Sequence, residues 1–442
     1  MSSTLTKNFK ILLAKQFQNL TDVGANSYLP ADKKSYLYAV VGKQLPWNTG
    51  TEVAPTPGVT DYDLNVLYKS GILAKQVTYE NSSIVVQKNV WTSNTVYNTY
   101  ESNTNFYIIN SKDQVFKCLS NVSTGTVSTS QPELTLSTTS LEEPYLQTAD
   151  GYKWKYLYTV SSVQKHKFMD ANWMPVSVNK FVRAAAIPSS IDIVNITNSG
   201  NNYTDGSTQD IITVSGDGSG AILKANVVNG QIQNIIIQDR GLNYTSATLS
   251  FNDVNGGLGS SAAATVSISP HDGHGYDPVY ELGASTIMFN VEFDGDESGV
   301  FPTDNDFREV FIVSNPFEDG ATTLATESTY TLYTKIKTSP GLGDFSNDEK
   351  VFQGVTYDTA SFTADVISFD EVQNELYINN VVGTLAQNQS LKGYNSGSIR
   401  VVTSSTPPTF HLYSGKVLYI SDKLPITRDS AQLDRIRFIL SF

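Results

Sequence analysis

The sequence predicts a mainly β fold: a multi-domain β-sandwich protein with a few short helices and two inserted β modules. Three observations carry that prediction. Tyr and Phe are abundant, at 24 and 20, while charged residues make up only 17% of the 442, a balance that favours sheet over helix bundles. Strict two-residue alternation recurs along the chain, most clearly in Asp150–Val160 (DGYKWKYLYTV). A stretch near residue 200 also repeats itself further on, the mark of a module built from two copies.

In Asp150–Val160 the residues Tyr152, Trp154, Tyr156, Tyr158 and Val160 fall on one face, and Lys153, Lys155, Leu157 and Thr159 on the other. A period of two with aromatic residues predicts a half-buried strand, begun by the turn chemistry of Asp150-Gly151. Four rings on one face bury enough area to place this strand at the centre of a sheet.

Taken in order, Leu5, Phe9, Leu12, Leu13, Phe17 and Leu20 recur at helical spacing and predict an amphipathic helix laid against a sheet by that face. Tyr36–Val41 reads as a strand, followed by a loop in which Trp47, after Pro46, is an anchor and a candidate interface residue. Asp61–Ser70 predicts a short helix with Leu64, Leu67 and Tyr68 inward and Gly71 as its stop. Short strands follow between Trp91 and Ser120, then a Ser/Thr-rich loop from Ser123 to Ser140. The chain returns through Trp173–Val176, where Trp173 is a second candidate interface residue, and Lys180–Arg183.

The repeat comes next. Ile196, Gly200, Tyr203 and Thr204 match Ile237, Gly241, Tyr244 and Thr245 at a constant offset of 41 (241−200, 244−203), and Gly218 and Ala221 match Gly259 and Ala262. Each copy reads as strand, glycine turn, Tyr-Thr strand, Gly/Ser turn and Ala-rich strand. The run Gly216–Gly220 (GDGSG) leads into strand and not into a helix N-terminus, so it reads as a β-turn and not as a phosphate cradle. Beyond the module, His271, His274 and Asp277 (with Asp272) are the residues that would hold a metal. Glycine-rich turns with Asp and His are common without one and no third histidine is near, so no metal is expected. Thr286–Phe293 and Phe307–Ser314 are strands. Turns at Gly354, Asn374, Gly383 and Gly393 divide the stretch around Val351, Ala364, Leu376 and Ile399 into a small barrel of about five strands. The chain closes with a strand at Ser414–Ile420, a turn through Pro425, and a strand carrying Ile436, Phe438, Leu440 and Phe442. The resulting division is a discontinuous core sandwich of 1–90, 270–340 and 406–442, an inserted β-sandwich domain of 91–187, the repeat module of 188–269 and a barrel-like insertion of 341–405.

Composition also bounds the function. A net charge of −13 repels phosphate backbones and anionic lipid, so neither nucleic acid nor membrane is an expected partner. The single cysteine, Cys118, excludes an internal disulfide framework and reads as a buried thiol on a strand. The first residues lack an apolar signal segment and no apolar run approaches the ~18 residues of a membrane span, so a cytoplasmically made protein is expected. No G-x-S-x-G, H-E-x-x-H or P-loop is present, and four histidines leave few general bases. No cofactor and no enzymatic activity are expected.

Five stretches together resemble one family: Gly42–Trp47 (GKQLPW), Asp150–Tyr158 (DGYKWKYLY), Phe307–Pro316 (FREVFIVSNP), Ser414–Ile420 (SGKVLYI) with Pro425-Ile426, and Ile436–Phe442 (IRFILSF). In this order they are similar to the baseplate wedge subunit of T4-like contractile-tailed bacteriophages, the wedge protein that forms a dimer. The resemblance spans the chain end to end but leaves out 188–269 and about 341–405. It implies a two-part β-sandwich homodimer, located in the tail baseplate of the virion and assembled in the host cytoplasm. It also implies a non-enzymatic role in holding neighbouring wedge proteins together, and a source among marine, cyanophage-like viruses. The chain departs from the family pattern in its two insertions and in Asp422-Lys423, which stands where an Asn-Arg pair is usual. Two competing classes are a polysaccharide depolymerase using carboxylates of acidic loops such as Asp294-Gly-Asp296-Glu297, and a carbohydrate-binding tail adhesin using Tyr203, Tyr244 or the barrel's loops.

Overall fold

A computed structural model describes residues 4–23, 34–44, 46, 53–99, 105–121 and 125–442. The protein is mainly β, a set of antiparallel sheets joined by a few short helices. The chain divides into two compact units: Met1–Ala14, Ile84–Thr286 and Ser441–Phe442 form one, and Lys15–Ser83 with Ile287–Leu440 the other. Residues 84–90 and 270–286 therefore belong with 91–269, and not with a core sandwich as the sequence division had them. Val85 and Val86 pair with Pro175 and Met174 of the same unit.

The first unit is centred on the sheet Tyr107–Ile109, Gln114–Ser120, Lys153–Thr159, Leu146–Gln147, in that spatial order. Trp154 is stacked on Tyr152 at 5.5 Å and meets the edge of Tyr97 at 5.3 Å, and Cys118 lies in the same core. The aromatic strand is buried on both faces, not one. Leu157 and Lys155, from the face expected to meet solvent, are 0% and 5% exposed. The 270–286 segment supplies part of that second cover, since Gly275 lies against Leu157.

The repeat module, 188–269, has its own core, built around Tyr203, Tyr244, Leu223, Ile232 and Ile235. Its two halves exchange strands. Ile191–Asn201, the first strand of copy one, pairs with Ser260–Ile268, the last of copy two; Ser219–Val228 pairs with Gln231–Leu242. The register shifts between Ile222 and Leu223 recur between Ala263 and Ala264, at the same offset of 41 (263−222). Gly200 and Gly241 take φ of +65° and +59°. A Cβ on either would sit 2.6–2.8 Å from the Tyr203 or Tyr244 ring, so glycine is required twice by the same geometry.

In the second unit a five-stranded sheet runs Thr329–Thr331, Gly71–Val77, Leu37–Gly42, Asn305–Ser314, Lys416–Arg428. The helix Asp61–Ser70 begins at a Thr60 capping box with Asp63 and buries Leu67 and Tyr68. Gly71 ends it without a left-handed turn, at φ −57°, and passes straight into strand. Lys416–Arg428 continues through Pro425 where a turn was expected. Pro425 is tolerated because the register shifts between Phe307 and Glu309, so the extra residues of the longer strand make no ladder bonds there. Six strands between Thr334 and Thr406 close a barrel with its own core, and the first of them, Thr334–Thr338, precedes residue 341.

The N-terminal helix Lys7–Leu20 buries Ile11 and Ala14, while Leu5, Phe9 and Leu12 of the expected inner face are 57%, 43% and 42% exposed. Among the described residues no helix is long and apolar enough to cross a membrane.

Candidate functional site

The sequence directs attention to the turn after the module. The strand pair that opens and closes the module brings Pro270 back beside Ser189, whose N–H donates to its carbonyl at 3.0 Å, and Ser269 Oγ donates to Ile187 O at 3.0 Å. From there the chain makes glycine turns at Gly273 and Gly275, with φ of +88° and +82°, into the helix Pro278–Leu282.

These turns separate the three candidate ligands. His271 points to solvent and, among the described residues, is paired with Asp272 at 3.0 Å. Asp277 is the helix N-cap, accepting from the N–H groups of Val279 and Tyr280. His274 alone is buried, its Nδ1 against Glu281 Oε1 and its Nε2 3.8 Å from Asp192 Oδ2. The contact between Nδ1 and Glu281 holds the imidazole in place, while Nε2 faces Asp192 beyond hydrogen-bond distance. Among the described residues no group of three or more His, Cys, Asp or Glu is placed to hold a metal ion.

The arrangement is a buried ionic clasp. Asp192 Oδ1 accepts from Arg240 Nε at 3.0 Å and from Ser190 Oγ at 2.7 Å, which ties the two copies of the module together. Glu281 accepts from Gly275 N at 2.7 Å and lies 3.3 Å from Lys117 of the central sheet. Burial alone would raise the Glu281 carboxyl. His274 and Lys117 beside it and the hydrogen bonds from His274 and Gly275 outweigh burial and hold it down to about 2. Lys155 donates to Glu143 O at 2.8 Å; burial and then the nearby Arg240 lower its ammonium to about 8. A cavity of about 530 Å³ opens beside the clasp, lined by Lys117, His271, Asp272, Asp277, Tyr280 and Glu281. Charges engaged this way fix where the module is rooted, and removing one partner of such a buried pair costs about 3–5 kcal/mol.

The other sequence candidates are dispersed. Trp47 lies outside the described residues. Trp173 is half-buried on the strand Trp173–Pro175, its backbone N–H held by Asp170 at 2.8 Å. Tyr203 and Tyr244, each 4% exposed, are core residues of the module and offer no ring to a sugar, which corrects that part of the adhesin reading. In the acidic run, Glu297 is engaged by Lys75 at 2.5 Å and by Asp294 N at 2.7 Å. Burial pushes the Cys118 thiol up to about 12, which leaves it inert. Sequence reasoning missed Lys117, Lys155, Asp192, Arg240 and Glu281. The available signal was a charge set directly between apolar or aromatic residues on a strand, as with Lys117 in VFKCL and Asp192 in IDIV; Arg240 and Glu281 carry no such mark.

No family model matches the chain, and a search of curated proteins finds no match.

Proposed function

We propose that the protein is a non-enzymatic structural connector of a contractile phage tail: a homodimeric baseplate wedge component that binds neighbouring wedge proteins during assembly and contraction. The observation that carries this reading is where the family-like stretches lie. Two of them, Phe307–Pro316 and Ser414–Ile420, far apart in sequence, lie on neighbouring strands of one sheet, and Gly42, the first residue of a third, ends the strand on the other side: Gly42 stands opposite Glu309, and Val313 and Ile312 stand opposite Val417 and Tyr419. The two stretches that interrupt the resemblance each have a separate hydrophobic core. A shared scaffold carrying private insertions is the pattern of a connector that keeps its wedge contacts while its outer surface diverges. The buried charges around His274 serve the same end, since they root the module rigidly. Recognition would run over a broad surface, with Trp173 and Trp47 as anchors.

Co-expression with the other wedge proteins of the same phage tests the reading. The expected result is co-purification as one complex that persists in moderate salt, because desolvated apolar contact is screened far less than exposed charge. A protein that stays outside the complex while cleaving host polysaccharide would overturn it in favour of a depolymerase.

A further inference from the structure

The barrel carries a cavity that the connector reading does not use. It holds about 390 Å³, within the ~300–1,000 Å³ of small-molecule sites. Four polar side chains reach it from four elements: Lys350, Asp365 and Asn380 from strands Lys350–Gln353, Phe362–Asp370 and Glu375–Gly383, and Lys69 from the last turn of the helix Asp61–Ser70. Asp365 is only 6% exposed and organises the group, accepting from Lys350 Nζ at 2.7 Å and from Asn380 Nδ2 at 3.0 Å. Lys350 and Asp365 are direct cross-strand partners, and Asn380 takes a left-handed φ of +49°, which Asn tolerates better than most residues.

The group keeps spare hydrogen-bonding capacity. Each Asp365 oxygen has a further lone pair, Asn380 Oδ1 has no hydrogen-bond partner among the described residues, and the Lys69 ammonium has none either. Donors and acceptors thus stand side by side in a small space, which suits a ligand whose every polar group is both. A hydroxyl is such a group.

Next to this polar wall is an aromatic step. Tyr357 lines the cavity, Phe352 packs behind it at 5.9 Å, and Tyr394 packs on it from outside at 5.1 Å. Tyr394 is 59% exposed, yet it is not loosely held, because its N–H donates to Lys350 O at 2.8 Å. The exposed Tyr394 ring, set edge-on against the half-buried Tyr357 beside a polar pocket, presents a negative π-face to the weakly positive C–H face of a pyranose. Nucleobases would use the same rings, but the net charge of −13 repels their backbone.

We infer that this cavity is a saccharide site, taking one pyranose unit of a polysaccharide, with Tyr394 as the stacking ring backed by Tyr357, Asp365 and Asn380 contacting its hydroxyl groups, and Lys69 contacting a hydroxyl or carboxylate group. The site lies in the barrel and stands whether or not the protein joins a wedge. The test is a glycan array carrying neutral and uronate-containing bacterial oligosaccharides, probed with the full chain and followed by calorimetry on the strongest binder. Tyr394→Ala, at an exposed position, should keep the wild-type melting temperature and weaken binding about tenfold, with Tyr394→Trp restoring it. Lys69→Ala should weaken uronate glycans and spare neutral ones. Absence of any glycan bound above background, or binding that Tyr394→Ala leaves intact, would overturn the inference.

Discussion

Glu309 sits in the strand Asn305–Ser314 with none of its surface exposed, held by Ser70 Oγ and Gln44 Nε2. Burial raises its carboxyl from 4.5 to about 7 against the lowering effect of those two hydrogen bonds, and Asp422 opposite adds to the rise. The sign follows from linkage. The folded state holds this proton more tightly than the unfolded chain, so the stabilising contribution is complete below pH 4.5 and is lost as pH rises toward 7, by about 3 kcal/mol in all. Glu309→Gln keeps the shape without the charge. Urea melts should therefore show the variant gaining on the wild type between pH 5 and pH 8; an equal difference at the two pH values would sink the assignment. In the sequence this residue shares a face with Phe307, Phe311 and Val313, so alternation places a carboxyl on an apolar face. The partners that hold it there, Ser70 and Gln44, and the cover over Lys155 and Leu157 come from segments far along the chain, which local periodicity does not record.

At the scale of elements, strands were legible wherever alternation was strict and their ends were marked by Gly, Asn or Asp. The helix Asp61–Ser70 was legible too, because its cap and its apolar spacing agree. The first helix misled because its apolar residues spread around too much of the circumference to choose a face. Leu12 was favoured by spacing, whereas the smaller Ala14 allows the close approach that is actually buried. In the module the glycine spacing carried most of the information. Gly241→Ala would force a side chain into the left-handed region and place its Cβ 2.6 Å from Ala221 N and Ser219 O, a cost of roughly 2–4 kcal/mol. Gly256 also has a positive φ, +76°, but open space around it, so Gly256→Ala isolates the conformational share. Hydrogen exchange over 188–269 should rise markedly more in the first variant than in the second. Equal protection in both would mean that the close approach is not a constraint.

For the whole molecule, Phe307–Ser314 and Lys416–Ile420 were legible as strands, and the repeat marked the module. The division into two units was not legible, because both units are assembled from segments far apart in the chain. The candidate site was visible only in outline: the histidines were located, but of the two carboxylates that face His274 one, Asp192, comes from 82 positions away (274−192). The long strand Lys416–Arg428 forms one edge of its sheet and, with the strand after it, exposes Leu418, Leu424, Ile426 and Leu433. An apolar edge of that length invites pairing or aggregation unless it is covered. Light scattering behind size exclusion should give twice 48.3 kDa, and Leu424→Lys should shift the population toward monomer. A single species at 48.3 kDa for the unaltered chain would count against self-association.

The traded strands of the repeat module carry a historical implication. Because the first strand of each copy pairs with the last strand of the other, neither copy completes its outer ladders within itself. A duplication that placed two finished units in tandem would not produce this. Fusion of two subunits of a symmetric ancestor would, with Asn229-Gly230 as the seam. A fragment of one copy, residues 188–229, is then expected to regain order by associating with a second identical fragment. Sedimentation equilibrium would show the pair, and a folded lone fragment would place the origin elsewhere.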